Sequence, residues 1–133
     1  MSVTTERIYI ACPYTSQKME VSYKRVQMAC AWEAHLLLQD PQPVVINPLL
    51  SHFTCLYAKT ILPTTFEFWT KQNHARIEWA TTIHVLCLDG WTESQGIEDE
   101  LEFAKRIIRP VIYIPEKRVL DIFAPVSERA GKC

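Results

Sequence analysis

Residues 82–115 read TIHVLCLDGWTESQGIEDELEFAKRIIRPVIYIP. The run TIHVLCLD at 82–89 is apolar, rich in β-branched residues and stopped by Gly90, which predicts a buried strand. Residues 97–108 then place Ile97, Leu101, Ala104 and Ile108 on one stripe of a helix. Pro110 ends that helix, and PVIYIP at 110–115 predicts a second strand. Two strands joined through an amphipathic helix form a β-α-β unit, whose strands run parallel.

The same alternation extends toward the N-terminus. RIYIAC at 7–12, bounded by Pro13, suits a strand. About Ser16 to Asp40 holds neither Gly nor Pro, and Val26, Ala29, Cys30, Ala34, Leu37 and Leu38 form a helical stripe. DPQP at 40–43 ends that helix, VVIN at 44–47 is a short strand, and residues 49–62 read as irregular. Pro63 opens a further helix running through TTFEFWTKQNHARIEWA, and EKRVLDIF at 116–123 suits a short last one. The expected fold is α/β: a Rossmann-like, flavodoxin-like three-layer arrangement around a mostly parallel sheet of four to five strands. One domain over residues 1–124 is expected, with a loose tail at 125–133 and no internal repeat.

Composition narrows the functional classes. Fourteen basic and fifteen acidic residues give a formal charge of -1 with no block of one sign, which argues against a nucleic-acid backbone binder. No apolar run is long enough to span a membrane, and the N-terminal residues do not resemble a leader. The five cysteines, Cys12, Cys30, Cys55, Cys87 and Cys133, are odd in number and contain no CxxC pair. They suit reduced thiols and a cytoplasmic location better than zinc or disulfides. The loop after the first strand is ACPYT, with no GxGxxG for a dinucleotide, so no cofactor and no metal is expected.

In a parallel sheet with helices on both faces, ligands bind at the carboxyl ends of the strands. The loops expected to meet there are Cys12-Pro13-Tyr14, Asn47-Pro48 and Asp89-Gly90-Trp91, beside the start of helix 97–108. Four acids lie in five residues of that helix, at 98, 99, 100 and 102. On an ideal wheel Glu100 falls about 70° from the centre of the apolar stripe, while Asp99 and Glu102 point away into solvent. Glu100 is thus the acid that leans over the strand ends, and the helix dipole would favour its ionised form. Ser94 either caps the helix or, with Gly96, opens an anion site. Trp91 either stacks on a base or packs its own turn. Trp32, Trp69 and Trp79 read as core or subunit contacts.

YIACPYT at 9–15, INP at 46–48, SH at 51–52 and GWTESQGIEDELEFA at 90–104 together resemble the nucleoside 2-deoxyribosyltransferase-like superfamily, over roughly residues 7–115. The likeness is to its small bacterial and phage members. It implies that Glu100 attacks the anomeric carbon of a nucleoside or nucleotide and releases the base, with Tyr9 beside it. Ala11, Cys12, Pro13 and Tyr14 would lie beneath the base, and His52 would line the pocket. Ser94, where transferases of this kind carry Asp, points to a nucleoside monophosphate. Asn73 stands where an acid would assist the leaving base, and an amide cannot donate that proton. His74 next to it either replaces that acid or is a surface residue. The resemblance also implies a homo-oligomer whose neighbouring subunit completes the pocket. A module that binds nucleotide or protein without turnover is the alternative on the same fold.

Overall fold

Ile8 and Ile10 point to one side of the first strand, β1 (Arg7–Ala11), while Tyr9 and Ala11 point to the other, and all four are buried. A strand covered on both faces needs helices above and below it. The structure, a computed structural model, supplies them; it describes residues 4–58, 61–63 and 65–131, with only the backbone for 125–131. Lys59 and Thr60 of the stretch read as irregular, Thr64 at the start of the helix expected after Pro63, and Lys132 and Cys133 of the tail lie outside the described residues.

Four strands form one parallel sheet in the order β2-β1-β3-β4, with β2 at Val44–Ile46, β3 at Thr82–Cys87 and β4 at Val111–Pro115. Ile8 is level with Val45 on one side and Thr82 on the other, and Ile83 is level with Val111. The three-layer α/β fold expected from the alternating pattern is therefore the observed one. On one face, Ile8 and Ile10 meet Val26, Ala29, Trp32 and Leu36 of α1 (Met19–Leu37) and Val119 of α5 (Glu116–Gly131). On the other, Tyr9 and Ala11 meet Ile77 of α3 (Phe66–Trp79) and Ile97 and Ala104 of α4 (Gln95–Arg106).

Several boundaries and faces differ from expectation. α1 is shorter than 16–40, and its buried side carries Ser22, Met28, Ala31, Trp32 and Leu36, whereas Leu37 and Leu38 are exposed and Cys30 is only half-buried. Ala34 is exposed as well. α1 packs on both the sheet and α5, so its buried sector is wider than one stripe. Within 49–62 the chain forms a 3-10 turn at Pro48–Leu50 and a short helix, α2 (Ser51–Tyr57). α3 starts beyond Pro63, where the Thr65 hydroxyl accepts from Phe68 N at 3.4 Å. The last helix continues past the end foreseen at 123 and runs as backbone helix to Gly131, through most of the segment read as a loose tail. Ile108 is not part of the α4 stripe. It sits just past the helix at φ 58° and is 86% exposed, while Arg109 N bonds Ala104 O and Ile108 N bonds Lys105 O. That pairing is a Schellman C-terminus with isoleucine in the left-handed position.

Among the described residues, no helix is long and apolar enough to cross a membrane.

Candidate functional site

The chain leaves β1 for β2 on one side and returns to β3 on the other, so the strand order reverses between β1 and β3. At their carboxyl ends opens a cleft of about 780 Å³. It is bordered by the loop after β1 (Cys12 to Thr15), the Pro48 turn and α2, the start of α3, and the 90–100 segment. The three loops expected to gather on one edge do so.

Glu100 forms part of the cleft wall yet is only 8% exposed. Its carboxyl folds back toward the start of α4, where a Cβ placed on Gly96 would lie 3.6 Å from Oε1 and 3.8 Å from the Ser94 hydroxyl. Ser94 caps the helix, its Oγ accepting from Ile97 N at 3.2 Å. Gln95 and Gly96 stand in the first turn, where backbone N–H groups have no intrahelical partner. Beneath the carboxyl lies Tyr9, fully buried on β1. The two groups interact, but neither the Tyr9 hydroxyl nor Glu100 Oε2 has a regular hydrogen-bond partner among the described residues.

Burial pushes the Glu100 carboxyl up to about 8, against a lowering contact from Tyr9, with the neighbouring Asp99 pushing it further up. The expectation that the helix dipole would keep Glu100 ionised is corrected. α4 begins at Gln95, so Glu100 lies in the second turn, and the dipole fades within the first. Desolvation outweighs what remains of it. The same burial raises the Tyr9 phenol, with Glu100 adding to the effect.

Of the other residues singled out in the sequence, Cys12, Pro13, Tyr14, Pro48, His52, Asn73, Gly90, Ser94 and Gly96 line the cleft. Tyr14 and His52 share a hydrogen bond between the Tyr hydroxyl and Nδ1, with ring centroids 5.7 Å apart. Asn73 accepts from Arg76 Nη1 at 3.2 Å.

Five residues do not line it. Tyr9 lies under the floor and Ala11 is sealed in the core beside it. Asn47 turns away, accepting from Leu49 N at 3.2 Å and donating to Glu33 Oε1 at 3.1 Å, so it builds the turn that carries Pro48. Asp89 is exposed and contributes its backbone, its N–H donating to Glu116 Oε1. Trp91 packs against Tyr113 at 5.8 Å between centroids, which decides for the packing role over base stacking.

Other cleft residues were not legible as such. Arg25, on α1, donates from Nη1 to Thr15 O at 2.9 Å and from Nη2 to Asp89 O at 2.8 Å. It ties the loop after β1 to the loop after β3 and takes part in neither side-chain ion pair among the described residues. Phe66 and Trp69 line the cleft from α3, so Trp69 is a cleft residue rather than a core one. Asp99 was expected to face solvent, but it lines the cleft and pairs with His74 Nε2 at 2.7 Å. A wheel drawn on α4 alone cannot show that α3 packs alongside and turns this face into a wall. Glu102 does face solvent, paired with Arg106.

Comparison with protein families matches residues 6–116 to the family described as "Domain of unknown function (DUF1937)". The chain belongs to that family. The matched span runs from just before β1 to the first residue of α5, so the sheet, the cleft and Glu100 all lie within the DUF1937 domain. No curated protein matches the chain.

Proposed function

We propose that this protein cleaves the N-glycosidic bond of a (deoxy)nucleoside monophosphate, with Glu100 as the nucleophile at the anomeric carbon. The observation that carries this is the buried Glu100 carboxyl in the cleft wall, beside the strand-order reversal, with the Tyr9 phenol beneath it. Breaking a glycosidic bond builds positive charge on the sugar ring, and a carboxylate within a water-poor cleft stabilises or captures that charge. Captured sugar then passes to water in a hydrolase or to a second base in a transferase.

Ser94, the first-turn N–H groups of α4 and the Arg25 guanidinium give the cleft donors and positive charge suited to a 5′-phosphate. Tyr14, His52, Phe66 and Trp69 supply aromatic faces on which a base can stack. We extend the proposal to a homo-oligomer. Phe53, Leu56, Tyr57 and Ile61, on and just after α2 at the cleft rim, are exposed apolar side chains that a second copy would cover. Light scattering tests this, a monomer at all concentrations being the contrary result.

The test of activity is chromatography for free base after incubation with a panel of nucleoside and deoxynucleoside monophosphates. Release that disappears in Glu100→Gln, with ligand binding retained, is the expected outcome. A second reading, a binding module without turnover, is favoured by Asn73, whose amide can donate a hydrogen bond but is too weak an acid to protonate a leaving base. Binding without release from any member of the panel would establish it.

A further inference from the structure

Departure of a base as a neutral molecule needs a proton donor that reaches a base nitrogen, and the amide of Asn73 cannot be that donor. One residue along α3, His74 stacks flat on Phe103 of α4, with centroids 4.0 Å apart and 5° between planes. The stack fixes the ring so that Nε2 meets Asp99 Oδ2 at 2.7 Å. His74 itself does not line the cleft, whereas Asp99 does. The Asp99 Oδ1 makes no hydrogen bond to a described residue. An imidazole fixed by an aromatic ring and bonded to a carboxyl that faces a cavity is an acid-base pair whose working end is the carboxyl.

We propose, resting on the base-release reading above, that Asp99 is the acid for the leaving base, with His74 the positioning residue behind it. As the C1′–N bond breaks, the bonding electrons leave with the base, and the proton shared by the pair passes through Asp99 to the base nitrogen. Glu100 forms the new bond to C1′. The pair is left as neutral imidazole and carboxylate. Water then attacks C1′ and gives its proton to Asp99. The C1′–O bond to Glu100 breaks with its electrons returning to Glu100, and the pair is restored. His74 and Asp99 are 28% and 29% exposed, so solvent reaches a pair whose partner acid, Glu100, it barely reaches.

The test compares ordinary and activated leaving bases. Deoxyguanosine 5′-monophosphate is paired with its N7-methyl form, whose base is already cationic, and deoxyuridine 5′-monophosphate with its 5-fluoro form, whose base leaves more readily as an anion. In Asp99→Asn, release of the ordinary base is expected to fall about 10²-fold or more. The ratio of activated to ordinary rates is expected to rise at least about tenfold over wild type, as the loss of a 10²-fold acid term demands. His74→Gln should shift the ratio in the same direction by less. Retained cleavage of the activated substrate shows that each variant is folded. An unchanged ratio in Asp99→Asn, whether both rates fall or neither does, overturns the assignment of Asp99 while leaving Glu100 untouched. Failure of wild type to release base from any of the four overturns the base-release reading, and this inference with it.

Discussion

Glu100 has a carboxyl held at about 8 in the free cleft, yet a nucleophile must be ionised. Below that value most molecules carry the protonated, unreactive form, and raising the pH releases the proton. For a base that leaves without acid help, such as N7-methylguanine, release measured as kcat/KM should therefore climb about tenfold per pH unit below pH 7 and level off above pH 8. A kcat/KM profile flat from pH 5 to 8 would mean that Glu100 is not the nucleophile or does not hold its proton in the free cleft. That Glu100 would lean toward the strand ends, where it does line the cleft, was readable from helical spacing. Its protonation state was not, because it depends on how deeply β1 and α4 bury the group. Asp99 shows the same boundary: its type and position are in the sequence, but its partner His74 lies 25 residues away on another helix.

Two turns at the ends of secondary-structure elements depend on residues with positive φ, and one of them lacks the residue best suited to it. Gly90 follows β3 at φ 89°, and a Cβ there would lie 2.7 Å from Arg25 Nη2, whose guanidinium is held by backbone carbonyls on both sides. Gly90→Ala is expected to cost about 1–3 kcal/mol and to weaken ligand binding, since Arg25 must shift to make room. Denaturant melts and a binding titration would check both. Ile108 presents the converse case, a β-branched residue in the left-handed position at the end of α4. Ile108→Gly should stabilise by about 1 kcal/mol, since the side chain is exposed and makes little contact to lose. An unchanged melting temperature would count against strain at this turn. The central strands β1 and β3 were legible because burial on both faces leaves continuous apolar runs. The faces of α1 were harder, since a helix touching both sheet and helix has no single stripe to find.

At the scale of the molecule, two buried titratable groups on opposite faces of the sheet bound the pH range of stability. His84 on β3 accepts from Trp32 Nε1 at 3.2 Å, and burial, with Arg118 adding, lowers it to about 4. The unfolded chain binds its proton near 6.5, so stability falls as pH drops from about 6.5 toward 4. Glu100 acts in the other direction. Its folded carboxyl at about 8 lies above its ordinary 4.5, so the folded state holds the extra proton and stability falls as pH rises from 4.5 to 8. Glu100→Gln should remove the fall on the alkaline side while leaving the acid side intact. Melting temperature against pH would show this, and an unchanged alkaline arm would place its cause elsewhere.

The layered architecture could be read from the alternation of strands and helices, but the strand order could not, because nothing local records that β1 lies between β2 and β3. That central place has a temporal consequence. Ile8 must wait for Thr82, 74 residues later, before its second edge is paired. At roughly 5–20 residues per second of synthesis, the gap lasts about 4–15 s. During that interval a strand whose last four residues end up buried has a partner on one edge at most. The nascent chain is then most exposed to association with its neighbours, and a chaperone would find its binding segment at RIYIA.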